Sequence, residues 1–187
     1  MEVFAKYPNQ LTTIIHGESG DRTTVFDGSQ GWVAAPPDEK PVPVLGLSGD
    51  DLDGARLDAE LAFPAQIKRD LTKLRVSSPT TIDGKEVQEV QGTTNGRTPV
   101  NLYFDQNTGL LMRQVRYSDT KIGLYATQID YSDYRDVSGV KIPFHYTVSW
   151  LDGRSIIELA SVEPNVRIDP AKFGEPTIPA APNATGQ

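Results

Sequence analysis

Residues 128–143 read QIDYSDYRDVSGVKIP, with Asp130, Asp133 and Asp136 at three-residue spacing around Tyr131 and Tyr134. Carboxylates in that number could hold a hard cation or work as acid and base, provided that their oxygens converge. Side chains on a strand alternate faces with period two, so Asp130 and Asp136 point one way and Asp133 the other. A helix would gather positions i, i+3 and i+6, but a segment ending in a glycine turn and a proline is poor helix sequence. The stretch is expected to be a solvated strand and turn.

The other reactive residue types fare no better. HGESGD at 16–21 approaches the nucleophile-elbow pattern with Ser19, but Asp21 stands where the second glycine belongs and a strand pattern follows instead of a helix. His16 and His145 are the two histidines, too few to fill a metal shell, and neither has a carboxylate at helical spacing. There is no glycine-rich phosphate loop or dinucleotide fingerprint. With no cysteine in the chain, thiolate chemistry, disulfides and covalent haem attachment are excluded. No catalytic, cofactor-binding or metal-binding residues are assigned, and the chain is expected not to be an enzyme.

The elements that would carry these residues are mostly strands. The 187 residues suit one domain, with Gly 16 and Pro 14 fitting many short strands joined by turns. The apolar share of 37% is low, as a sheet with one wet face requires. A net charge of -7 opposes nucleic acid and anionic head groups, so nucleic-acid binding is not expected. No run approaches a membrane-spanning length, and no signal peptide opens the chain. Met1-Glu2 runs directly into a strand pattern, so an upstream segment is expected.

EVFAKYP and QLTTIIHG alternate as two strands, GESGDR turns the chain, and TTVFDG and SQGWVAAP follow around Asp27-Gly28. APPDEKPVPVLGL, with Pro36, Pro37, Pro41 and Pro43, is expected to form no ladder and to lie extended on the surface or over a cavity mouth. Ser48 should cap a helix whose apolar stripe is Leu52, Ala55, Ala59 and Ala62. Pro64 should open a second helix with Ile67, Leu71 and Leu74 inward. Later hairpins are predicted at Asp83-Gly84, around DQNTG with Gly109, at Ser138-Gly139 and at Asp152-Gly153. The tail should dock through Val166, Ile168 and Phe173. These elements add up to an α+β fold, an antiparallel meander of about nine or ten strands with two short helices inserted after the fourth.

Alternation then picks out one apolar face. Val100, Leu102 and Phe104 share a side of their strand, as do Tyr125, Thr127, Ile129 and Tyr131, and Phe144, Tyr146, Val148 and Trp150. Their alternates are mostly polar. Two helices with few apolar stripe residues would underfill the hollow of such a sheet, leaving a groove for an apolar ligand. The opposite outcome, a core closed completely by the helices and the proline loop, is equally compatible with the residues.

YFDQNTGLLMRQVRY, QIDYSDYRDVSGVKIPF and NVRIDPAKF, with the earlier AKYPNQL and FDGSQGWV, resemble bacterial outer-membrane lipoprotein-carrier (LolA/LolB-like) domains, in the form found in acidobacterial envelope proteins. The resemblance covers most of residues 3–175. It implies a curved antiparallel half-barrel around a helical plug, with both helices on its concave face, and a periplasmic location. It also implies a single domain over residues 1–175 that lacks the usual N-terminal helix and first strand; the proline-rich composition of 176–187 makes that stretch an expected flexible tail. The cavity arginine of such carriers is not assigned to any of Arg113, Arg116 and Arg135.

Two functions follow as expectations. One is a non-enzymatic periplasmic binding module for a lipid, acyl chain, lipidated peptide or other apolar ligand. Its lining would be Leu102, Phe104, Tyr125, Ile129, Phe144, Tyr146, Val148 and Trp150, with Trp32 near the mouth. The other is an accessory domain with a filled core and no ligand, serving an upstream envelope or cytochrome segment.

Overall fold

A computed structural model of the chain describes residues 1–37, 42–63, 67–94, 98–120 and 123–177. Among the described residues thirteen strands lie in two open antiparallel sheets, and the chain divides into two compact units, Met1–Gln66 with Ile168–Gln187, and Ile67–Arg167. The fold is α+β and antiparallel, as expected. It differs from a single continuous meander because the chain begins a second sheet after the helical segment.

In the first unit β1 (Glu2–Lys6), β2 (Gln10–Gly17), β3 (Gly20–Phe26), β4 (Gly31–Ala34) and β5 (Val44–Gly46) follow one another in space. The turn between β3 and β4 is fixed by Asp27, whose Oδ1 accepts from Ser29 N and Gln30 N, both at 2.7 Å. Gly28 follows at φ 105, which favours glycine. The expectation that the proline stretch forms no ladder is corrected by β5, which pairs with β4 from Trp32↔Gly46 to Ala34↔Val44. Proline loses its N–H but keeps its carbonyl, and Pro43 O accepts from Ala35 N at 2.9 Å. Asp38–Pro41 lie outside the described residues.

Helix α1 (Gly49–Leu61) packs on β2, β3 and β4. Ser48 is its N-cap residue but makes no side-chain capping bond. The expected stripe is rotated: Asp53, Gly54, Leu57, Ala59 and Glu60 are buried, whereas Ala62 is exposed. Leu57, 1% exposed, is the largest aliphatic side chain the helix buries, and its position sets which face turns inward. Arg56 lies 5.8 Å from the centroid of the buried Phe26 ring. A 3-10 turn, Pro170–Phe173, docks on β2 through Thr12 Oγ1, which donates to Lys172 O at 2.6 Å. Phe173 is buried there, but Val166 is 49% exposed and plays no such docking part.

The second unit opens with α2 (Ile67–Asp70), a single turn, and continues into β6 (Leu71–Val76). The predicted second helix is therefore cut short, with Leu71 and Leu74 on a strand; its proposed start, Pro64, lies outside the described residues. Leu71 pairs with Thr94 and is 3% exposed. Tertiary pairing has overridden the helical spacing of its leucines.

Then come β7 (Thr80–Ile82), β8 (Lys85–Thr94), β9 (Thr98–Asp105), β10 (Leu111–Thr120), β11 (Gly123–Val137), β12 (Val140–Trp150) and β13 (Gly153–Glu158). The sheet order is β13-β12-β11-β10-β9-β8-β6, with β7 also on β8. The hairpins at Asp83-Gly84, Gly109 and Ser138-Gly139 stand where the turn residues put them, each with a left-handed φ. The last turn is Leu151-Asp152, one residue earlier than expected, with Gly153 already paired to Trp150. β11 is the longest strand. Its Gly123–Asp130 part pairs with β10 and its Gln128–Val137 part with β12, so the two partners overlap along three residues.

Candidate functional site

The three aspartates that opened the sequence do not converge. Asp130 accepts from Arg113 Nε and, at 2.6 Å, from Gln128 Nε2. Asp136 accepts from Gly139 N at 2.9 Å and meets Lys141 at 3.5 Å across the hairpin. Asp133 pairs with Arg135, whose donated hydrogen bond holds that carboxyl below its usual value. Each carboxylate is satisfied by a separate neighbour, which is what period-two alternation demands. Among the described residues, no group of three or more His, Cys, Asp or Glu could hold a metal ion.

Ser19 sits in the β2–β3 turn, which confirms the hairpin over the elbow. His16 reaches Asp21 at 2.9 Å and Glu2 at 3.4 Å, and His145 faces Glu158 at 3.6 Å across β12 and β13.

The register assembles the apolar face directly. Val90, Leu102, Gln114, Ile129, Val148 and Ser155 form one continuous row of facing residues from β8 to β13. Tyr131, Tyr146 and Ile157 form a parallel row, and Gly92, Val100, Arg116 and Thr127 another. By alternation Phe104, Tyr125, Phe144 and Trp150 share this face. Thus eight of the nine sequence-selected residues lie on one side of the eight-stranded sheet. Trp32 lies on β4 of the other unit. Val100, Leu102, Ile129 and Phe144 are between 0% and 8% exposed, whereas Trp150 is 39% exposed. The face is covered at its centre and half-open towards β11 and β12.

Polar residues that the apolar pattern overlooked interrupt this face. Gln114 is fully buried and accepts from the Tyr131 hydroxyl at 3.1 Å. Arg116 pairs with Thr127, and Ser118 with Tyr125, on the same side. The alternation of LLMRQVRYS already places Gln114, Arg116 and Ser118 in register with one another, so the signal was present. Arg135 also belongs here by alternation, with its guanidinium 4.3 Å from the Phe144 ring centroid.

The opposite face carries a polar ladder. Glu89, Tyr103, Arg113, Asp130, Thr147 and Ile156 form its central row. Glu89 Oε1 accepts from Asn101 Nδ2 at 2.9 Å and from the Tyr103 hydroxyl at 3.1 Å. Burial, with the Glu89 charge adding to it, pushes the Tyr103 phenol above its usual value. These bonds satisfy the polar groups of this row.

Two open clefts lie along β12, one beside its middle and one at its C-terminal end. One, of about 370 Å³, is lined by Ser132, Asp133, Arg135, Phe144, His145, Glu158 and Leu159. The other, of about 570 Å³, lies at the hairpin end among residues that include Leu124, Tyr125, Trp150 and Leu151. Leu124 and Leu151 are 71% and 77% exposed, and Leu151 N donates to the Tyr125 hydroxyl at 3.3 Å.

This order of antiparallel strands and helices is a fold shared with solved structures. It is similar to a LolA superfamily protein from Nitrosomonas europaea (TM-score 0.53, 16% identity, 86% of this chain and 77% of that one). It is likewise similar to an outer membrane lipoprotein-sorting protein domain from Vibrio parahaemolyticus (0.54, 12%, 88% and 80%). A DUF1329 family protein from Desulfovibrio piger matches at 0.55 with 14% identity, over 88% and 81% of the two chains. No family model matches the sequence, and no curated protein does. At these identities the likeness concerns fold.

Proposed function

We propose that this chain is a non-enzymatic binding module of the bacterial periplasm that carries a lipid, an acyl chain or a lipidated peptide on the apolar face of its eight-stranded sheet. The observation that carries the reading is the in-register face of Leu102, Phe104, Tyr125, Ile129, Phe144, Tyr146, Val148 and Trp150. The likeness to LolA superfamily and lipoprotein-sorting structures supports it. In this reading residues 1–175 work as one domain, the sheet bends into the half-barrel expected from the sequence, and Trp32 stands near the mouth. Burial of ligand chain would contribute roughly 25 cal/mol per Å² of apolar surface.

The near-complete cover of Val100, Leu102, Ile129 and Phe144 favours a second reading, an accessory domain with a filled core. Native mass spectrometry of delipidated protein mixed with a dodecyl-chain amphiphile separates the two. A one-to-one adduct, weakened when Val148 or Tyr146 is changed to aspartate, supports carriage. A protein that binds neither the amphiphile nor a hydrophobic dye while folded supports the accessory reading and ends the first.

A further inference from the structure

The eight-stranded sheet ends on β13, which among the described residues pairs with β12 alone. That ladder runs without a register shift from His145↔Glu158 to Trp150↔Gly153, and no proline interrupts the strand. Arg154, Ser155, Ile156 and Glu158 are exposed, Ile156 to 56%. A regular edge with an open isoleucine is a template for another strand. The opposite edge is blunted: β6 shifts register between Thr72 and Arg75, and Lys73 stands at φ 53. Its charges there, Lys73 and Arg75, are of one sign and would repel a copy of themselves.

On β13 the charges have both signs. By alternation Arg154, Ile156 and Glu158 share one face of the sheet, the face of Thr147 and Asp130. Among the described residues the Arg154 guanidinium has no partner. Glu158 meets the His145 ring at 3.6 Å and keeps 78% of its side chain exposed. Set antiparallel on a second copy with Ile156 against Ile156, the strand brings Arg154 opposite the partner's Glu158, and Glu158 opposite the partner's Arg154. Directly opposed side chains stand about 5 Å apart at Cβ, within reach of an ion pair. A slip of one residue sets Arg154 against Ile157 or Leu159 instead, so the charges select the register. We infer that the chain forms a two-fold dimer through antiparallel β13–β13 pairing, with Ile156 at the axis and an Arg154–Glu158 ion pair on either side. One surface serves both copies, which closes the assembly at two. Six residues a side is a small contact, under about 1,200 Å², so the dimer is reversible. The net charge of -7 on each chain opposes association, and the two ion pairs offset it locally. The inference is independent of the carrier reading.

The test is sedimentation equilibrium of the full chain from micromolar to millimolar concentration. The expected result is a mass that rises from one chain towards two. Arg154→Glu or Glu158→Arg alone turns two attractions into two repulsions and should raise the dissociation constant about tenfold. Both changes in one chain should restore the dimer, and an equimolar mixture of the two single variants should form a heterodimer. Ile156→Asp sets two like charges on the axis and should leave a monomer. All three positions are exposed, so the variants should fold, with circular dichroism as the check. A protein that stays monomeric throughout, a dimer indifferent to these substitutions, or single reversals that the combination does not restore overturns the inference.

Discussion

Arg135 holds its guanidinium 4.3 Å from the centroid of the Phe144 ring and, on the same face, pairs with Asp133 two residues back. The ring presents its negative face to the cation, and the aspartate neutralises the charge from the other side. Phe144 is 7% exposed, so its removal costs both packing and the platform for this pair. Phe144→Ala should lower stability by about 3–5 kcal/mol in denaturant unfolding. Arg135→Gln should act differently: the Asp133 carboxyl, held low chiefly by its bond from Arg135, should titrate closer to the ordinary aspartate value by NMR. An unchanged Asp133 titration would show that the pair is not formed in solution.

Leu102 and Leu151 make an internal comparison. Leu102 is 1% exposed at the centre of its row, and Leu151 is 77% exposed at a turn. Leu102→Ala should cost about 2–5 kcal/mol, through lost transfer energy and the cavity left behind. Leu151→Ala should stay within about 0.5 kcal/mol. Comparable losses at the two positions would contradict the assignment of the covered face.

Turn carboxylates set the acid limb of stability. Asp105 is held below the usual carboxylate value by donors from Thr108 N and Asn107 N, and Asp136 by Gly139 N. At Asp27 burial pushes upward, but the hydrogen bonds from Gln30 and Ser29 outweigh it. A carboxyl whose native value lies below its unfolded one, here 3.8, contributes stability above that pH. The contribution is lost as the pH falls through the lower native values. Melting temperature should therefore fall as pH drops below about 4, and Asp105→Asn, which cannot ionise, should flatten that fall.

Tyr134 governs the alkaline side. Burial pushes its phenol up to about 12, and its hydroxyl donates to Leu111 O at 2.6 Å. A raised native value means that its contribution is intact below about pH 10 and lost as the pH climbs towards 12. Spectrophotometric titration should show late ionisation from both Tyr103 and Tyr134, and the latest part of it should be lost in Tyr134→Phe. The substitution itself should cost about 1–3 kcal/mol by leaving a carbonyl without its donor.

Gly153 has no room for a side chain. A Cβ there would stand 2.9 Å from Trp150 Cζ2, because the indole lies over the glycine at the start of β13. Gly153→Ala should push the ring outward, seen as red-shifted tryptophan emission in a Trp32→Phe background. An unshifted spectrum would mean that the ring does not rest on the glycine.

Much of this was readable from residues because the determinants were local. Asp-Gly and Ser-Gly pairs specify their turns, and the alternation in PVNLYF and PFHYTVSW gave the covered side without knowledge of strand order. The misses have a common origin in long-range pairing. Leu71 and Leu74 repeat at helical spacing, yet Leu71 finds Thr94 across a ladder. Pro43 looked like a ladder breaker, but it needed only its carbonyl to meet Ala35. Gln114 and Ser118 were passed over because a search for greasy residues discards the polar members of the same face.

The overlap of the two ladders along β11 has a mechanical consequence. Gln128, Ile129 and Asp130 are the stretch of that strand bonded on both flanks, so they splice one hairpin to the next like the lap of two planks. Strain applied to either hairpin passes through those three residues, and their amides should be among the last in the sheet to exchange with deuterium.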